Sequence, residues 1–228
     1  MKGVLEILMS PPDYKRLYEI VCDLYSNTEH FYYGQWDETF YTLRVFETCK
    51  DLIKKSKLQV EEEIILTAAI FHDIGKTKLD TEEKIKKEWD NHPIYGAQIT
   101  REILTGQNFD NDFIEKVVDL VKHHDNRPNK VDMIRSDELK ILQDADLLAD
   151  MGIASFVRPF LYSGKNKRKT IENVNYIKSE RRSNGGISKE NLYRLNLKIS
   201  KRVAKKLMKE ADKLDNKIFK MTQSELVE

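Results

Sequence analysis

The residue types best suited to chemistry form a short string along the chain: His72-Asp73, His92, His123-His124 and Asp146. Four of the five histidines belong to it, and the fifth is His30. Imidazole nitrogens favour borderline ions, whereas carboxylates supply negative charge and can bridge two ions. The set therefore suits one or two divalent metals, with Mn, Fe, Ni or Mg as fitting identities, Mg least well. Such an ion can activate a water for hydrolysis. The two cysteines, Cys22 and Cys49, stand outside the string and are read as small core residues, too few for a disulfide framework.

Adjacent His72 and Asp73 reach one centre only near a helix end, and Ile74-Gly75 supplies that ending. The preceding Glu61–Ile74 segment is apolar around most of its circumference, as a central helix would be. A polar pair closing such a helix needs partners to be buried. Asp146 lies four residues after Leu142 and seven after Leu139, which turns it inward with them. Further helices are expected over Tyr14–Tyr25, Glu38–Lys55, Pro93–Leu104, Asp112–His124 and Asp137–Met151, each from apolar spacing of three or four residues. Residues 76–91 read as a charged connector. Residues 152–188 read as a loop-rich lobe, with a basic tract Lys165–Lys169 and a Gly185-Gly186 turn. A final long helix is expected from Ser188, with Leu192, Leu195, Ile199, Val203, Leu207, Ala211, Leu214, Ile218 and Met221 on one stripe.

At 228 residues, 40% apolar and 34% charged, the chain has the composition of a soluble helical protein, expected as one domain over 1–228. Its core is expected over about 37–152, with a basic helical extension over 153–228. The formal charge of +1 hides an asymmetry: from Gly152 onward there are 19 Lys/Arg against 8 Asp/Glu, and 20 against 30 before it. Solvated helix faces explain this more readily than a nucleic-acid partner, because no stacking aromatics interleave with the basic tract. Apolar stretches such as Ala68–Phe71 are far short of the roughly 20 residues of a membrane span, and the N-terminal segment lacks the regions of a secretory signal. A cytoplasmic protein without a membrane partner is the expectation.

The phrase Phe71-His72-Asp73-Ile74-Gly75-Lys76 resembles the central motif of the HD superfamily of metal-dependent phosphohydrolases, and Gln143-Asp144-Ala145-Asp146-Leu147-Leu148 is similar to its closing motif. The resemblance implies an all-α helical bundle of the HD-domain type. It nominates His72, Asp73 and Asp146 as ligands of one ion, with Asp144 behind them or on the helix surface. His92-Pro93 and His123-His124-Asp125 are similar to the extra histidine motifs of dinuclear members, including HD-GYP-type phosphodiesterases, which implies a second ion held by His92 and by His123 or His124. The GYP signature itself is replaced by Asp125-Asn126-Arg127-Pro128, which argues against cyclic-di-GMP as substrate.

The sequence departs from the pattern at the first ligand, where Tyr41 of Tyr41-Thr42-Leu43-Arg44-Val45 occupies the histidine position. A neutral tyrosine, with an ordinary pKa near 10, is a poor substitute for imidazole. Asp37, one turn earlier, and His30 are further candidates for the gap. Leu147 and Ala149 replace the Arg and Asp frequent in nucleotide-hydrolysing relatives. The implied activity is hydrolysis of a phosphate ester or anhydride of a nucleotide or related small molecule. Asp73 and Lys76 take catalytic roles in it, and Arg44, Lys76 and Arg127 bind the phosphate. The competing readings are a degenerate HD module that binds metal or nucleotide without turnover, and a scaffold that forms a homodimer through the C-terminal stripe.

Overall fold

The computed structural model describes residues 12–28, 35–128, 130–165 and 191–222, together with 167 and 172. Among them there is no strand, and the fold is all-α. Helix α1 (Tyr14–Ser26) starts at Asp13, whose carboxylate accepts from the Arg16 N–H, and buries Leu17, Val21 and Tyr25 at four-residue spacing. Helix α2 (Gln35–Ser56) buries Tyr41, Val45, Cys49 and Leu52 at spacings of four, four and three. Helix α3 (Glu62–Phe71) is buried at every position from Ile64 to Phe71, and α1, α2, α6 and α7 cover it.

After α3 the chain tightens into a 3-10 turn (Ile74–Lys78), and the charged connector contains a short helix α4 (Glu82–Glu88) capped by Thr81. Helix α5 (His92–Gly106) places Pro93 in its first turn, where the missing N–H costs nothing. Helix α6 (Asn111–His123) is capped by Asp110, and α7 (Asp137–Ala149) by Ser136, whose hydroxyl accepts from Leu139 N–H. All residues of α7 from Ile141 to Ala149 are buried. Packing of α5 on α6 and of α2 on α7 brackets the central helix, so that its C-terminal end meets the starts of α5 and the end of α6.

Two expectations for the C-terminal part are corrected. The lobe over 152–188 contains a helix, α8 (Ala154–Lys165), whose Phe156 packs against Ala211, Leu214 and Ile218. Its periodicity was masked by Pro159 and Gly164 inside the helix. The long final helix is interrupted: α9 (Asn191–Arg194) and α10 (Lys198–Thr222) flank an open segment, and the expected start at Ser188 lies outside the described residues. The interruption has a cause in α7. Asn196 and Leu197 donate their backbone N–H groups to the two carboxylate oxygens of buried Asp144, at 2.7 and 2.9 Å, instead of to a helical carbonyl. The stripe persists across the break, with Leu195 within it and Ala211 beyond it both buried. Gly185-Gly186 lies outside the described residues, as does most of the basic tract.

Candidate metal centre

Three histidines are held by one local device. His72 Nδ1 lies 2.8 Å from Ala69 O, His92 Nδ1 2.7 Å from Trp89 O, and His124 Nδ1 2.7 Å from Val121 O, each the carbonyl three residues earlier. A carbonyl can only accept, so each Nδ1 carries a proton, and in the neutral ring Nε2 presents a lone pair. Fixing the ring in this way is how proteins orient metal-binding imidazoles.

The three rings meet because backbones approach closely where α3 ends. A Cβ on Gly75 would stand 1.9 Å from His92 O and 2.4 Å from Gly96 N, so only glycine lets the 3-10 turn lie against the start of α5. Tyr25 of α1 ties the same end down by donating its hydroxyl to Asp73 O at 2.8 Å.

Asp73 is the pivot. Its Oδ1 faces His92 Nε2 at 3.4 Å and His124 Nε2 at 3.5 Å, and those two nitrogens are 3.3 Å apart. These three ligand atoms lie within 4.8 Å of one another, and all three residues are buried. Two lone-pair nitrogens this close, beside a carboxylate oxygen, repel unless a cation lies among them. Burial, with the neighbouring imidazoles, pushes the His124 pKa down and keeps its lone pair available. This donor set of two imidazoles and one carboxylate fits a divalent ion.

The other side of Asp73 is different. Its Oδ2 accepts from Lys76 Nζ at 2.6 Å and faces His72 Nε2 at 3.3 Å. His72 Nε2 also stands 3.7 Å from Asp146 Oδ1 and has no hydrogen-bond partner although fully buried. Asp146 is itself engaged: Oδ1 accepts from the Tyr41 hydroxyl at 2.5 Å, and Oδ2 from the Arg127 guanidinium. Arg127 also donates to Gln143 O at 2.9 Å. Burial disfavours the carboxylate charges, yet Lys76 and His72 hold the Asp73 carboxyl well below its usual range, and Arg127 and His72 do the same for Asp146. Burial likewise opposes charge on His72, but Asp73 and Asp146 outweigh it and raise its pKa.

The structure thus brings together His72, Asp73, Lys76, His92, His124, Arg127 and Asp146 from the expected set, with Tyr41 among them. His123 stands apart, a quarter exposed, with its Nδ1 on Asp119 O at 3.0 Å. Helical phase separates the two histidines: His124 follows buried Val117 by seven residues and Val121 by three, whereas His123 falls on the outer face. Arg44 sits over the Tyr41 ring at 5.5 Å and 3.8 Å from Asp150, so it backs the tyrosine. Asp144 is fully buried and holds Asn196 and Leu197, which the sequence reading did not foresee. The side chain of Asp37 and the whole of His30 lie outside the described residues. Leu147 and Ala149 are buried apolar positions.

Two residues were missed. Trp89 supplies the carbonyl that orients His92, and its half-buried ring lies 5.4 Å from Lys76 Nζ and 5.5 Å from the His92 ring. Its signal was its place three residues before a histidine, the same spacing as Ala69 to His72. Arg194 of α9 approaches from the C-terminal part. Burial and the like charge of Arg127 lower its pKa, while Asp125 and Asp146 raise it.

A family model described as HD domain matches residues 40–151, which span every residue of the cluster. No curated protein matches the sequence. Among solved structures the chain is similar to a predicted HD superfamily hydrolase from an uncultured Thermotogales bacterium, at 17% identity and TM-score 0.60, covering 96% of this chain and 98% of that one. Bacillus subtilis YpgQ, solved also in complex with ADP, is similar at 13% identity and TM-score 0.65, with 92% of this chain and 95% of that chain covered in the complex. An HD-superfamily hydrolase from Bacillus thuringiensis is similar at 16% identity and TM-score 0.60, covering 93% and 97%. No helix among the described residues is long and apolar enough to cross a membrane.

Proposed function

The chain belongs to the HD-domain superfamily, and from that membership and the geometry of the cluster we propose that it is a metal-dependent phosphohydrolase acting on an ester or anhydride of a nucleotide or related small molecule. The observation that carries this reading is the convergence of His92 Nε2, His124 Nε2 and Asp73 Oδ1, each nitrogen with its lone pair turned inward. A divalent ion held there supplies Lewis acidity toward a water nucleophile and toward phosphate oxygens.

The protein's own groups supply the rest. Lys76 and Arg127 are nearly buried cations on the opposite side of Asp73, held in place by Asp73 and Asp146. Fixed charges in a water-poor site stabilise developing negative charge without reorganising. Trp89, beside Lys76 and His92, presents an aromatic face at the same place. That YpgQ was solved with ADP supports a nucleotide among the substrates to test first.

The experiment is metal content of the purified chain, followed by phosphate release from a panel of nucleotides and phosphodiesters with added Mn. Release that Asp73→Asn abolishes is the expected result. A second reading, a module that binds nucleotide without turnover, is favoured by Tyr41 at the histidine position and its bond to Asp146. Tight Mn without release from any panel member would select it, and recovery of release in Tyr41→His would locate the cause.

A further inference from the structure

Asp73 divides the centre into two unlike halves. On the Oδ1 side, His92 and His124 present two nitrogens to the oxygen. On the Oδ2 side the carboxylates are already neutralised: Lys76 is bonded to Asp73, and Arg127 to Asp146. Tyr41, which stands where a histidine would offer a lone pair, instead gives its hydroxyl hydrogen to Asp146 Oδ1. Both oxygens of Asp146 are therefore taken by donors.

We propose that this chain holds a single divalent ion, on Asp73, His92 and His124, and that the Arg127 guanidinium, fixed by Asp146 and Tyr41, is the built-in second cation of the site. This inference rests on the metal-dependent reading above. It reassigns Asp146 from metal ligand to the residue that positions Arg127. An ion pair of this kind makes chemical sense for a phosphate substrate, because guanidinium offers planar, directional donors to phosphate oxygens and keeps its charge at every working pH. The loop geometry favours it too: Arg127 Nη1 is anchored on Gln143 O at 2.9 Å while Asp146 holds the other end of the fork, so α7 grips the group at two points. His72, whose Nε2 faces Asp73 and Asp146 without a hydrogen-bond partner, is the donor that speaks for a second ion, and stoichiometry reads that alternative directly.

The test is Mn binding to the full chain, by calorimetry and by the electron paramagnetic resonance of unbound Mn, without reference to turnover. One tight Mn per chain is expected. His92→Ala with His124→Ala should weaken it by more than about 100-fold, the scale of losses seen even for groups one step behind the ligands. The double variant Asp146→Asn/Arg127→Met removes the ion pair as a unit and so leaves no buried charge alone. It should keep the single ion to within about threefold, well short of that loss. Tyr41→His/Arg127→Ala, checked for folding by circular dichroism, should gain a second ion. Two tight ions in the unaltered chain, loss of the ion in Asp146→Asn/Arg127→Met, or a folded Tyr41→His/Arg127→Ala that still binds one would each overturn the proposal. Absence of any tight Mn would overturn the metal-dependent reading as well, whereas one ion without phosphate release would overturn only the hydrolase reading.

Discussion

Replacing Gly75 by alanine tests whether close backbone approach builds the metal centre. The added Cβ would lie 1.9 Å from His92 O, whereas ordinary contact begins at 3.4 Å, so the turn and the start of α5 must separate by about 1.5 Å. Neither side can yield as a flexible side chain would, because both contacts, His92 O and Gly96 N, are backbone atoms. His92 would move with its helix while Asp73 stayed with the turn. Metal sites tolerate about 0.2 Å in ligand distance, so a displacement several times larger takes His92 out of reach.

Two readouts follow from that shift. Mn affinity should fall by about 100-fold or more, the usual consequence of misplacing a working group by an ångström. Overpacking should also cost about 1–3 kcal/mol of stability, which in a protein of this size lowers Tm by roughly 2–12 °C. Calorimetric Mn titration and thermal melts measure both. Gly96→Ala is the graded comparison, since its Cβ meets Val121 Cγ1 at 3.2 Å and Gly75 N at 3.3 Å and needs only a few tenths of an ångström. Gly106→Ala, with nothing within 4 Å, should be neutral or slightly stabilising. A Gly75→Ala protein that melts with the parent and binds Mn equally would refute the reasoning.

Other substitutions separate the parts of the site. Tyr41→Phe removes a hydrogen bond to a carboxylate and should cost about 1.5–3 kcal/mol in urea unfolding, with Mn still bound. Asp144→Ala strands the N–H groups of Asn196 and Leu197. It should speed proteolysis between α9 and α10 and lower stability by at least about 2 kcal/mol; unchanged protease sensitivity would count against this anchor. His123→Ala should bind Mn as the parent does, and His124→Ala should not, by the same titration. Burial opposes charge on Asp146, but Arg127 and His72 hold its pKa below 3.8. Its contribution to stability is therefore present above pH 3.8 and lost as pH falls through the lower folded value. Unfolding between about pH 5 and about pH 2 should accordingly weaken the parent more steeply than Asp146→Asn/Arg127→Met.

Local patterns in the sequence carried the helices and most of the ligand types, because both depend on short spacing. The stripe through Leu17, Val21 and Tyr25 marks the inward face of α1, but apolar spacing through Phe40, Leu43, Phe46, Cys49 and Leu52 misjudges the start of α2, where Phe40 and Leu43 are exposed and Tyr41 and Val45 are buried instead. The sequence reading left His123 and His124 open, and the structure turns His124 inward and His123 outward. Interruption of the C-terminal helix was not legible, since the cause is a carboxylate 52 residues before Asn196 that competes for two backbone N–H groups. A stripe of leucines reports the face of a helix and says nothing of such a competitor.

The metal assignment shows the same limit at the site itself. Motif order placed Asp146 beside His72 as a ligand, and it does lie there, 3.7 Å from the imidazole. What order along the chain could not convey is that a loop arginine 19 residues before Asp146 reaches the same carboxylate. An arginine beside a carboxylate and a metal beside a carboxylate solve one problem, the burial of negative charge, and once Arg127 has neutralised Asp146 a second cation there gains less. Tyr41 changes the balance between them: it withdraws the lone pair a histidine would offer to an ion and adds a donor that tightens the Arg127–Asp146 pair. The single substitution at position 41 and the guanidinium at position 127 are thus two parts of one arrangement, and altering either alone should leave the other without its function.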